Sequence, residues 1–162
     1  MLDIALDELS LGRAYLQQGE FTEAIRWLNQ AVSSFRIARR LDDLPLGLLA
    51  RAALCHDTRN PNHNFTHARQ DLQEVYDIAE PSGMWLHLTD YHLEMARLLI
   101  AERENPRFPL EKGGSEGISL QQHVAEAAKL IEETGYKRRL PELRELQHKL
   151  STLMAHDSGA IL

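Results

Sequence analysis

The sequence predicts an all-α chain, on three observations. Apolar residues recur at intervals of three and four, the period of one helix face, over most of the 162 residues. No stretch reads as a credible strand. Residues that stop helices fall between the periodic segments, at Gly19, Pro81-Ser82-Gly83 and Gly135.

Seven helices follow in order. The first spans 3–18 on Ile4, Leu6, Leu9, Leu11, Tyr15 and Leu16. A tight turn at Gly19–Glu20 leads to the second, 21–40, where Phe21, Ala24, Ile25, Leu28, Ala31, Val32 and Phe35 mark one face. The third, 43–58, is rich in Leu and Ala around much of its circumference, as in a helix packed on several sides. The fourth, 65–80, starts at Asn64 as N-cap and stops at Pro81-Ser82-Gly83. The fifth, 84–103, carries Trp85, Leu88, Tyr91, Met95, Leu98 and Leu99. The sixth, 119–134, begins near Ser119 and ends at Gly135, a residue suited to the left-handed position after a helix. The seventh, 141–155, opens on Pro141, whose missing N–H needs no partner in a first turn. These elements form a single domain over 1–156, with 157–162 as a tail. A long loop with Pro and Gly, 104–118, separates the fifth and sixth helices, a length that marks either function or mobility.

Composition narrows the function classes. The chain is 43% apolar and 26% charged, with a formal net charge of −6. That profile suits a folded domain, disfavours nucleic acid, and offers no basic stripe for anionic lipid. No apolar run approaches the ~18–20 residues that span a bilayer. Cys55 is the only cysteine, so no intrachain disulfide can form. The start, Met-Leu-Asp-Ile-Ala-Leu-Asp, lacks the basic and apolar regions of a signal peptide. A cytoplasmic setting is the expectation.

Residues 11–32 carry the most specific signal. Leu11, Gly12, Tyr15, Gly19, Phe21, Ala24, Leu28 and Ala31 fall in order on the signature positions of a tetratricopeptide (TPR) repeat, a helix–turn–helix unit of about 34 residues. Gly12, Ala24 and Ala31 stand where two helix backbones must approach closely. Glu8 occupies the motif's Trp position and Arg36 its terminal Pro position. Later pairs match in part, through Ala52, Phe65 and Ala68, then Ala96, Leu99, Val124 and Ala127. The stretch Leu130–Tyr136 with Arg138-Arg139 and Pro141-Glu142-Leu143 resembles the end of TPR arrays in large multidomain bacterial signalling proteins. Because the chain opens almost inside a repeat helix, a piece of a longer polypeptide fits the pattern.

The resemblance implies a right-handed α-solenoid of three TPR-like helix pairs, about 3–40, 43–80 and 84–134, plus a capping helix over 141–155. It implies a noncatalytic scaffold that binds a peptide or protein partner on the concave face, lined by the first helix of each pair. The repeat positions that line such a face fall on Leu6, Leu9, Ser10, Arg13, Leu16 and Gln17 in the first pair. They fall near Leu49, Ala50, Ala53, His56 and Asp57 in the second, and on Asp90, Leu93, Glu94, Arg97, Ile100 and Ala101 in the third. We take Leu9, Arg13, Leu16, Gln17, Ala53, His56, Asp57, Asp90, Leu93, Glu94 and Arg97 as the candidate partner-binding residues. TPR domains that grip a C-terminal carboxylate use several Lys and Asn residues in the groove. Here Lys is confined to Lys112, Lys129, Lys137 and Lys149, late in the chain, which argues against that clamp.

Two alternatives stand beside the scaffold. His63 and His67 are four apart, with His56 nearby, a spacing that can hold a metal in a small helical metal protein or enzyme. His63, however, falls in a turn and no His-Glu-x-x-His motif accompanies it, so no cofactor and no metal ligand is assigned. Leu143, Leu146, Leu150 and Leu153 form a 3-4-3 leucine face on the last helix. That face either covers the end of the array or forms a homo-oligomer seam. The run Lys137-Arg138-Arg139 follows a helix C-terminus, where cations are favourable locally.

Overall fold

A computed structural model describes residues 2–105 and 118–159. Among these residues it holds seven α-helices and no strand. They are α1 (Leu2–Gln18), α2 (Phe21–Ile37), α3 (Leu44–His56), α4 (Phe65–Ala79), α5 (Trp85–Glu104), α6 (Leu120–Thr134) and α7 (Leu140–Gly159), with a 3-10 turn at Lys137–Arg139 before α7. Most of the predicted 104–118 loop, residues 106–117, lies outside the described residues.

The helix ends show how local chemistry sets the boundaries. After α1, Gly19 takes φ +78°, and the amides of Gly19 and Glu20 donate to the Leu16 and Tyr15 carbonyls, which closes a Schellman motif. The same bond pattern ends α2, with Arg39 at φ 53° in the left-handed position and Arg40 N–H donating to the Phe35 carbonyl. The helix predicted to run to residue 40 therefore stops at Ile37. A β-branched side chain would resist this backbone, but Arg tolerates it at modest cost. Asn64 caps α4 by accepting from the His67 amide at 2.9 Å. Ser119 and Gln122 form a reciprocal capping box at the start of α6. Gly135 follows that helix at φ 68°. α7 continues to Gly159, so it takes in part of the predicted tail.

Contacts are most extensive within three consecutive pairs, α1 with α2, α3 with α4, and α5 with α6. Each pair also packs on the next, through α2 against α3 and α4 against α5. The odd-numbered helices form a line of their own, α1 against α3, α3 against α5, and α5 against α7. Among the described residues the backbone of α1 does not come close to that of α5, α6 or α7. Contact is thus local along the chain.

Small residues let these helices approach. A Cβ on Gly12 of α1 would lie 2.6 Å from Leu28 Cδ2 of α2, so only glycine fits there at the present spacing. Ala24 and Ala31 on the facing side are fully buried. Gly47 of α3 plays the same part against Val32 and Phe35. The main core joins α1 to α5 around Phe35, Leu48 and Leu72. α3 is buried on most sides, as its continuous apolar composition requires. A second core cluster holds Leu93, Ala96, Ile100, Val124, Ala127 and Ile131 with Leu143 and Leu146 of α7. Leu150 and Leu153 pack at its edge. The leucine face of α7 is therefore spent inside the chain against α5 and α6, and Leu146 keeps only 2% exposure.

One buried ion pair crosses the main core. Arg51 of α3 donates to both carboxylate oxygens of Asp71 on α4, at 2.8 and 2.7 Å, and to Asn29 Oδ1 of α2 at 3.0 Å. The bidentate fork satisfies a guanidinium that would otherwise be costly to bury.

Candidate functional site

The odd-numbered helices line two adjoining cavities that are open to solvent. The first, of about 420 Å³, is lined by Arg13, Leu16 and Gln17 of α1, Leu49, Ala50 and Ala53 of α3, and Asp90, Leu93 and Glu94 of α5. Arg138, Arg139 and Glu142 close it from the 3-10 turn and α7. The second, of about 550 Å³, shares Leu16, Gln17, Ala53 and Glu94 with the first. It continues past His56, Asp57, Thr58 and Arg59, then Arg97, Ile100, Ala101 and Glu104, to Glu145, Leu146 and Lys149. No residue of α2, α4 or α6 lines either cavity.

The candidate residues read from the sequence line this hollow, with one correction. Leu9 is 3% exposed and packs in the main core. It stands on the stripe Ala5–Leu9–Gly12, which faces inward at helical spacing, while Arg13, Leu16 and Gln17 occupy the neighbouring stripe. Leu6 and Ser10 are exposed and do not reach the cavities.

An ion-pair chain ties the walls together. Arg139 donates to both oxygens of Asp90, at 2.7 and 2.9 Å. Glu142 accepts from Arg139 through one oxygen and from Arg97 through the other. Glu94 accepts from Arg97 through Oε1 and meets His56 Nε2 at 2.8 Å through Oε2. The chain runs from α3 through α5 to α7. Burial works to raise the Glu94 carboxyl, but the His56 hydrogen bond and the Arg97 charge outweigh it and hold the group below the usual carboxylate range. Glu142 is likewise held low by Arg97 and Arg139 against the effect of burial. At Asp90 burial prevails over Arg139, with Glu142 and Glu94 adding to the same side, and its pKa lies above the usual value. The Arg13 pKa is lowered, first by desolvation and then by the charge of Arg139.

Several lining residues were not among those read from the sequence. Glu142, Glu145, Leu146 and Lys149 repeat on α7 the spacing of Asp90, Leu93, Glu94 and Arg97 on α5. Extending the first-helix register by one more element would have found them. Lys137–Arg139, read as local helix-end cations, includes two residues that face the hollow.

The histidines separate. His56 is bound to Glu94, His63 Nδ1 lies 3.0 Å from the Asn60 carbonyl oxygen, and His67 lies 3.8 Å from both Cys55 Sγ and Asp71 Oδ1. Among the described residues no group of three or more His, Cys, Asp or Glu is arranged to hold a metal ion. Cys55 is buried, and burial, with Asp71 nearby, pushes its thiol up to about 11. A second histidine pair was not foreseen. His92 of α5 and His123 of α6 are buried with their Nδ1 atoms 2.8 Å apart, and Tyr91 packs edge-on against both rings. Desolvation lowers each to about 4, and at His123 the charges of His92 and Arg69 add to it.

Among the described residues no helix is long and apolar enough to cross a membrane. Comparison of the chain with protein-family models, with curated proteins and with solved structures returned no match.

Proposed function

We propose that the chain is a right-handed α-solenoid of three TPR-like pairs closed by α7, and that it acts as a noncatalytic scaffold holding a peptide or protein partner in the hollow. One observation carries the reading: the hollow is lined by α1, α3, α5, α7 and their turns, and by nothing from the second helix of any pair. That segregation is what stacked helix–turn–helix units produce on their concave side. The strictly local contacts along the chain support it too, since a closed bundle would bring α1 against its last helices. The size of the hollow and its mixed lining of Leu, Ala and charged residues suit a peptide with an apolar face. A place within a larger multidomain signalling protein is part of the same reading.

Filling the hollow tests it. Ala53 stands where the two cavities meet and is partly exposed, so Ala53→Arg adds bulk and charge without opening the core. Protein captured from the native cell extract by the unaltered chain is expected to be lost with Ala53→Arg and kept with Gln73→Arg on the exposed side of α4. Equal capture by both variants would overturn the proposal.

A further inference from the structure

The charges of the first cavity are unevenly spent. Its three carboxylates, Asp90, Glu94 and Glu142, each have both oxygens engaged by a cation or imidazole of the chain. The cations are not equally engaged. Arg139 is committed to Asp90 and Glu142. Arg13 and Arg138 line the same cavity and make no ion pair among the described residues. Among the described residues the side chain of Arg13 makes one hydrogen bond, to the Leu46 carbonyl at 3.5 Å, the far limit of such a contact. Two guanidinium groups thus face a cavity whose own acids are saturated. Leu16, Leu49, Ala50 and Leu93 give that cavity an apolar wall beside them.

We infer that this end of the hollow is a receptor for a carboxylate side chain, in which Arg13 and Arg138 pair with an Asp or Glu of the bound peptide while its apolar neighbours lie on Leu16, Leu49 and Ala50. The inference rests on the scaffold reading and gives its partner a chemistry. Planar guanidinium forks match a carboxylate in two parallel hydrogen bonds. An incoming carboxylate would also relieve the unfavourable proximity of Arg13 to Arg139. A basic peptide has no free acid to meet here. The continuation of the hollow past Ala53 and Glu94 gives the residues beside the acid a path along the array.

Peptide display on the full chain provides the test. A library of random 12-residue peptides is selected on the unaltered protein, and the best binders are made as amidated synthetic peptides. Binders are expected to share one Asp or Glu next to apolar residues. Changing that residue to Asn or Gln should weaken binding at least tenfold. Arg13→Gln should weaken the acidic peptide by a similar factor and should leave the amide peptide nearly unaffected, so that the two losses are not additive. Arg138→Gln repeats the cycle from the second cation, and unchanged thermal unfolding shows that each variant is folded. Additive losses, binders without an acidic preference, or binding that needs a free C-terminal carboxylate would overturn the inference alone. No selected binder, or binders equally tight on Ala53→Arg, would overturn the scaffold reading as well.

Discussion

Arg139 and Asp90 meet through two hydrogen bonds, at 2.7 and 2.9 Å, and so fasten the turn that leads into α7 to α5. The Asp90 side chain is 12% exposed and Arg139 32%. Arg139→Gln leaves a mostly buried carboxylate without its cation and should cost about 2 kcal/mol. The loss should be local. Hydrogen exchange is expected to speed up in α7 and its lead-in, with α1–α4 unchanged, because α7 touches none of those helices. A uniform rise along the chain would show that α7 is not a separable unit.

The His92–His123 pair predicts a pH dependence. Each imidazole is held at about 4 in the folded chain, whereas an unfolded histidine titrates near its ordinary 6.5. Between pH 6.5 and 5 the unfolded chain binds more protons, so stability falls as pH falls through that window. The expected loss from pH 7.5 to 5 is about 2 kcal/mol for each of the two imidazoles. Glu94 and Glu142, with depressed values, lose their contribution only at lower pH. Asp90, with a raised value, works in the opposite sense. Urea unfolding at pH 7.5 and 5 measures the difference. His92→Leu with His123→Leu should remove most of it, whereas an unchanged slope would place the titration elsewhere.

The Arg51–Asp71 pair is nearly free of solvent on both sides. Arg51→Met alone strands a buried carboxylate and should cost about 3–5 kcal/mol. Adding Asp71→Leu removes the stranded charge and should recover part of that loss, the reverse of additivity. Chemical denaturation of the two singles and the double measures the coupling. A double variant as damaged as the sum of the singles would contradict it.

Gly12 has no room for a side chain. Gly12→Val must displace Leu28, which is fully buried and has nowhere to swing. The expected cost is about 2 kcal/mol, as for overpacking elsewhere. That should appear as a thermal midpoint lower by about 6 °C for a chain of this size. A midpoint equal to or above that of the unaltered chain would mean that α1 and α2 are not in close contact.

Much of this was legible in the sequence because helical periodicity is a strong signal, and because Gly19, Asn64, Ser119 and Gly135 mark ends with side chains or backbones suited to them. The end of α2 was not legible, since Arg39 adopts a backbone that sequence alone assigns to glycine. Leu9 was misplaced by one stripe, as happens when a repeat register is laid on a helix whose neighbours are unseen. The His92–His123 contact depends on how α5 meets α6 across a segment of unlike length, so spacing within either helix could not show it. Glu8 is another case. It is 8% exposed, and its Oε2 has no hydrogen-bond partner among the described residues, a buried position that its charge would not suggest.

The proposed scaffold role turns most directly on which helices face a partner. A photo-cross-linking amino acid placed at Gln17, where the cavities join, is expected to form a covalent adduct with the bound peptide or protein. The same residue at Gln73, on the exposed side of α4, is expected to form none. Adducts from position 73 with none from position 17 would contradict the account.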